Sequence, residues 1–157
     1  MVVILHNIRS THNVGSIFRT ADAAGCEKIY LCGITPAPRD RFGRVNEKIR
    51  KVALGAENWV EWEKIDETGR LIKKLKKDGY KILAVEQSKK SVPYHKLKVK
   101  SEKSKVALIL GAEVKGLPLS ILHRADKILE IPMRGKKESL NVAVAFGIVA
   151  FNLINNL

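Results

Sequence analysis

Apolar positions along the chain follow two rhythms. Short apolar runs at VVILH (2–6), KIYLCG (28–33), KILAVEQ (81–87), KVALILG (105–111) and KILEIP (127–132) read as strands buried on both faces. Between them the apolar spacing changes to three and four. In the segment from His6 to Cys26, Val14, Ile17, Phe18, Ala21 and Ala24 share one helical stripe. Ser10, Thr11 and Asn13 are candidate N-caps, and Gly25 is placed to end the helix. NEKIRKVALG (46–55) and LIKKLKKDG (71–79) continue the alternation, and LNVAVAFGIVAFNLINNL (140–157) closes it. Strands alternating with helices predict an α/β fold around a largely parallel sheet. With no linker, repeat or low-complexity tract, the 157 residues are expected to form a single domain.

The final helix breaks the amphipathic rule. Its uninterrupted apolar part, Val142 to Phe151, is far short of the roughly 20 residues that cross a bilayer, so no membrane span is expected. A helix apolar on nearly all sides must be covered on nearly all sides, which predicts a homodimer through this helix.

Charge adds a second partner class. Lysine and arginine number 29 against 16 acidic residues, a formal net charge of +13, which favours polyanions: nucleic acid or an acidic membrane surface. Much of that excess is lysine on polar helix faces, where solvation alone explains it. The loop GITPAPRDRFGR (33–44) is more pointed, because Arg39, Arg41 and Arg44 surround Phe42. Guanidinium groups around an aromatic ring suit phosphate and base contacts, although an unstructured basic loop has the same composition. Cys26 and Cys32 form no CxxC and have no histidine cluster nearby, so we expect buried free thiols and no metal. The N-terminal residues lack the pattern of a signal peptide, and a cytoplasmic protein is expected.

Ligands of open α/β sheets bind beyond the carboxyl ends of the strands. Three loops there are unusual. NIRSTHNVG follows the first strand. GAEVKGLP follows KVALIL, with Gly111 and Gly116 for tight turns and Glu113 directly off an apolar strand. PMRGKKESLN follows KILEI and brings Ser139 and Asn141 to the mouth of the last helix, where a serine also serves simply as a cap. No GKS/GKT ending, GxGxxG, HExxH or GxSxG occurs, which argues against an NTPase, a dinucleotide oxidoreductase and the common hydrolases. His6, His12, His95 and His123 are scattered. Arg19 stands about 100° round the helix from Phe18, as a surface partner of Asp22 or as a functional group.

Taken together, NIRSTHNVGSIFRTADAAG, LILGAEVKGLP and IPMRGKKESLNVAVAFGI resemble, in order, the three motifs of the SpoU (TrmH-like) branch of the SPOUT RNA methyltransferases. The resemblance spans the chain from first strand to last helix. It implies a trefoil-knotted α/β fold with a mainly parallel central sheet flanked by helices, a homodimer, S-adenosylmethionine as methyl donor, and methylation of a ribose 2′-hydroxyl in tRNA or rRNA. Matched residue by residue, it implies catalytic roles for Arg19, Asn13, Glu113, Ser139 and Asn141. It implies cofactor contacts, largely main-chain, at Leu110, Gly111, Gly116, Ile131, Met133, Ser139 and Leu140.

A ribose hydroxyl is a poor nucleophile, so such a site needs a cation for the developing alkoxide and an acceptor for its proton. Because arginine side chains keep their proton, we expect Arg19 to point into the site, grip the adjacent phosphate and stabilise the alkoxide, with Glu113 orienting it. The proton would pass to phosphate or water. Relatives often carry an added RNA-binding domain. Here Met1 stands directly before the first strand, so residues 1–157 are expected to form one methyltransferase domain without an N-terminal extension. RNA contacts are then expected from Arg9, Arg39, Arg41, Arg44 and the lysines from Lys96 to Lys105. Lys115 occupies a position that is often small. Retention of the motif residues speaks against a catalytically silent RNA-binding protein, and the missing glycine fingerprint against an NADP-linked reductase.

Overall fold

The apolar run VVILH forms β1 (Val2–His6), an interior strand of the sheet. The computed structural model of the chain describes residues 1–97 and 104–155. Parallel neighbours flank β1 on both sides, β2 (Lys28–Cys32) and β6 (Val106–Leu110). With β3 (Glu61–Ile65), β4 (Lys81–Val85), β5 (Val92–Pro93) and β7 (Lys127–Glu130), the described residues form a sheet of seven strands in the order β3-β2-β1-β6-β4-β7-β5. Every pairing is parallel, so all carboxyl ends lie along one edge.

Alternation along each strand divides the interior into two cores. Val3 and Leu5 of β1 face a core that also takes Cys26 and the apolar stripes of α1 (Thr11–Ala23), α2 (Glu47–Ala53) and α6 (Val142–Ile154), with Ala56 of α3 (Ala56–Trp59). Val2 and Ile4 face the opposite core, shared with Cys32 and the buried residues of α4 (Thr68–Lys77) and α5 (Leu119–Leu122). The expected stripe of α1 is buried throughout. Of the three cap candidates Ser10 acts, accepting from the Asn13 amide, and Gly25 takes a left-handed conformation (φ +68°) just past the helix end. Both cysteines are free and buried, as expected.

Among the described residues, five elements escape the sequence pattern: β3, β5, α3, α5 and a single 3-10 turn at Tyr94–Lys96. The sequence of β3, EWEKI, holds three charged residues in five and forms an edge strand, so it lacks the apolar run that marks its neighbours. Lys28 on β2 pairs across to Glu61 and Glu63 on its outer rows. Among the described residues no helix is long and apolar enough to cross a membrane. Helix α6 leaves Val144 (51%) and Phe151 (43%) exposed. Lys98, Lys100 and Lys103 of the expected basic run lie outside the described residues.

Candidate active site

At the carboxyl edge the chain connections diverge between β1 and β6. The chain leaving β1 turns through α1 to β2, whereas the chain leaving β6 passes to β7 on the far side of β4. A crevice at such a divergence is where open α/β sheets bind ligands.

The two loops that border it are tied together by one carboxylate. Glu113 Oε2 accepts from the Arg9 amide (3.1 Å), and its Oε1 accepts from the Ser10 amide and Asn13 Nδ2 (both 3.0 Å). Burial pushes its carboxyl upward and is the largest single influence. The N–H donors from Arg9, Asn13 and Ser10 together outweigh it, leaving Glu113 below the ordinary carboxylate range. Asn13 thereby engages one N–H of its amide, and its Oδ1 accepts from Asn141 Nδ2 (3.0 Å). Asn141 Oδ1 in turn accepts from the Ala143 (2.9 Å) and Val144 (3.4 Å) amides, capping α6. Donor and acceptor order fixes both amide orientations, and the relay joins all three motif loops.

The loop after β6 turns back on itself between two glycines. A Cβ on Gly111 would stand 2.4 Å from the Gly116 carbonyl carbon, and one on Gly116 (φ +62°) would stand 2.2 Å from Glu86 Oε2. The same Glu86 oxygen accepts from the Leu117 amide (2.8 Å), pinning the far end of the turn to the end of β4. Between this turn, the β4 end and the loop after β7 lies a cavity of about 250 Å³. Leu110, Gly111, Gly116, Ile131, Met133, Ser139 and Leu140 all line it, as do Glu113 and Asn141.

A family model described as the SpoU rRNA Methylase family matches residues 1–151. The chain belongs to the SpoU methylase family. It is 30% identical over 154 residues to a 23S rRNA (guanosine-2'-O-)-methyltransferase RlmB of Ralstonia nicotianae, covering 98% of this chain and 58% of that protein. It is 32% identical over 151 residues to a tRNA (guanosine(18)-2'-O)-methyltransferase of Aquifex aeolicus, covering 96% of this chain and 67% of the relative. The solved AdoMet-bound rRNA methyltransferase of Sinorhizobium meliloti superposes with a TM-score of 0.88 at 31% identity, over 99% of this chain and 56% of that one. The chain thus spans between about half and two thirds of the length of these relatives.

In this SpoU-family chain, Arg19 departs from expectation. It stands exposed on α1, does not line the cavity, and makes no hydrogen bond or ion pair among the described residues, Asp22 included. Within one chain Glu113 makes no hydrogen bond to Arg19 among the described residues. Glu113 meets the first turn of α1 at Asn13, and six residues of helix, about 9 Å, separate Asn13 from Arg19. Nor is Ser139 the helix cap; Asn141 is, and Ser139 lines the cavity without a described hydrogen bond.

Arg9 is exposed at the α1 entrance, while Arg39, Arg41 and Arg44 line a separate groove beyond β2 and β3. Glu86, Gln87 and Glu130, which belong to none of the three motif loops, also line the cavity. Gln87 Nε2 donates to the Glu138 carbonyl (2.6 Å), and Ser91 Oγ donates to Glu130 Oε2 (2.6 Å). Sequence reasoning missed them, yet KILAVEQ holds a signal: an acid directly off an apolar strand, the same feature that singles out Glu113.

Proposed function

We propose that the chain is an S-adenosylmethionine-dependent RNA methyltransferase acting on a ribose 2′-hydroxyl of tRNA or rRNA. In this reading it works in the cytoplasm as a homodimer through α6, and the trefoil knot implied by its motifs belongs to the same reading. One observation carries it: every residue matched to a cofactor contact lines one cavity, and the Glu113–Asn13–Asn141 relay fixes the loops that frame that cavity. The donor set fits the cofactor. Leu110, Ile131 and Leu140 offer apolar walls for a nucleoside, glycine turns bring main chain to the surface, and Glu86 and Glu130 offer negative charge toward a cation.

When bound, the cofactor supplies an electrophilic methyl group on a sulfonium. Asn13, Glu113 and Asn141 position the loops, because their polar atoms are engaged with one another and with backbone amides. Ser139, unengaged among the described residues, is the hydroxyl left to touch substrate or cofactor. Arg19 grips the phosphate beside the target and stabilises the alkoxide, while the proton leaves to phosphate or water. Since Arg19 stands outside the cavity of its own chain, we assign it to the cavity of the partner chain. RNA would run across Arg9 and the Arg39/Arg41/Arg44 loop. The test is mass spectrometry of nucleosides after incubating unmodified tRNA and rRNA with the protein and labelled S-adenosylmethionine. A labelled 2′-O-methyl nucleoside is expected, and its absence from both RNAs overturns the reading.

A further inference from the structure

The loop from Gly33 to Asn46 is built, not slack. The Asp40 carboxylate accepts from the Phe42 amide (2.8 Å), the Arg44 amide (3.0 Å) and Arg44 Nε (2.7 Å), while Arg39 and Val45 form an antiparallel bridge beneath the turn. The Arg44 backbone N–H is the chief cause that holds the Asp40 carboxyl below its ordinary range. At the loop base, Lys64 Nζ donates to the carbonyls of Gly33 and Thr35, the latter at 2.6 Å, tying the loop to β3.

Under this frame lies a groove of about 920 Å³. Its floor is apolar, with Pro36, Ala37, Val45 and the half-buried Trp62, and its rim carries Arg39 and Arg41. Among the described residues neither rim arginine has a carboxylate partner, whereas Arg44 is already paired with Asp40. The Arg41 guanidinium lies 4.8 Å from the centre of the exposed Phe42 ring, which holds its charge at the rim. An apolar floor under two unneutralised guanidinium groups suits a flat apolar ring attached to an anion.

We infer that this groove is a second nucleotide subsite, taking one unpaired base of the substrate RNA on its floor with the flanking phosphates on Arg39 and Arg41. The inference rests on the reading of the chain as acting on RNA. The groove opens on the same carboxyl edge of the sheet as the cavity, so one strand of RNA serves both. A base in a duplex is stacked and paired and has no free face to lay on the floor, so the groove selects single strands.

The chain has two tryptophans, and in a Trp59→Phe variant Trp62 reports on the groove alone. That variant is titrated, without cofactor, with a mixed-sequence RNA of about twelve nucleotides, single-stranded and then annealed to its complement. We expect a saturable change in Trp62 emission with the single strand and at least a fivefold weaker response with the duplex. Adding Arg39→Ala and Arg41→Ala should lower the log–log salt slope by about 1.4, at about 0.7 for each single-strand phosphate no longer neutralised. Unchanged Trp62 emission at saturating single strand overturns the subsite, as does equal binding of duplex or an unchanged slope in the double variant. Methyl transfer with a silent Trp62 sinks the subsite alone; a responsive Trp62 without methyl transfer sinks the catalytic reading alone.

Discussion

On the β6–β4–β7 side of the carboxyl edge, polar groups are satisfied by the protein itself: Glu113 takes three N–H donors, Asn13 and Asn141 complete each other, and Glu86 holds Leu117. On the β2–β3 side, Arg39 and Arg41 face solvent with no carboxylate partner among the described residues, on a loop held by Asp40 and Lys64. The first arrangement is fixed by the protein's own bonds and offers a ligand shape, main chain, the Ser139 hydroxyl and the charge of Glu86 and Glu130. The second leaves its charge open. A cradle for one small molecule is served by the former, and a surface for a long polyanion by the latter, because preorganisation favours a fixed ligand and unpaired cations favour counterion release.

The largest test of this contrast concerns Arg19, which belongs to neither network. Arg19→Ala should lower single-turnover methyl transfer by about 10² to 10³ at saturating RNA and cofactor, with cofactor affinity near normal. Arg19→Lys should fail as well, since an ammonium lacks the planar two-pronged grip. Mixing Arg19→Ala chains with chains blocked at the cavity by Gly111→Leu should restore part of the rate if the arginine serves the partner chain. Near wild-type turnover by Arg19→Ala would return it to an ordinary surface residue.

Next comes the exposed face of α6. Phe151→Lys places a charge where we propose a second copy, and should weaken dimers by about 2 kcal/mol or more, roughly 30-fold in dissociation constant, read by sedimentation. A monomeric wild type at micromolar concentration would remove the dimer.

Glu113→Ala leaves the Arg9 and Ser10 amides and Asn13 Nδ2 without their acceptor. We expect a loss of about 1 kcal/mol, the low end for unmade hydrogen bonds because water reaches this rim. The carboxyl is held below its ordinary value of 4.5, so wild-type stability from this group is full above that value and is lost as pH falls through the lower folded value. The variant should show a flatter acid limb in chemical denaturation.

His6 sharpens the picture with a smaller effect. Asn7 Oδ1 accepts from the Ile34 amide (3.1 Å), so its Nδ2 donates to His6 Nε2 (3.1 Å), and His6 Nδ1–H donates to Thr68 Oγ1 (2.8 Å). Burial lowers the His6 pKa below its ordinary 6.5. Stability from this neutral ring is therefore full above 6.5 and lost as pH falls from there through the folded value, a decline that His6→Gln should remove. Smallest of all, Arg44→Ala should leave both the melting temperature and the salt slope of RNA binding unchanged, unlike its loop neighbours.

How much was legible depended on whether the cause was local. The apolar runs of β1 and β6 need no partner to be recognised, and Gly111, Glu113 and Gly116 stand together in one loop. The edge strand β3 was invisible because its outer row is solvated. Asn13 and Asn141 were found as motif members, but their mutual bond spans 128 residues, and only folding shows that they bind each other. Arg39, Arg41 and Arg44 look alike in GITPAPRDRFGR; the turn that carries Arg44 back to Asp40 separates them.

The two buried thiols belong to different layers, Cys26 to the core under α1 and Cys32 to the core under α4. Burial raises both to about 11, so at pH 8 only about one thiol in a thousand is a reactive thiolate even before access is considered. Alkylation in the native state then proceeds through openings of the chain. With one cysteine at a time replaced by alanine, the labelling rate becomes a clock for the opening of a single layer, and the two rates together tell whether the faces of the sheet come apart in one event or in two.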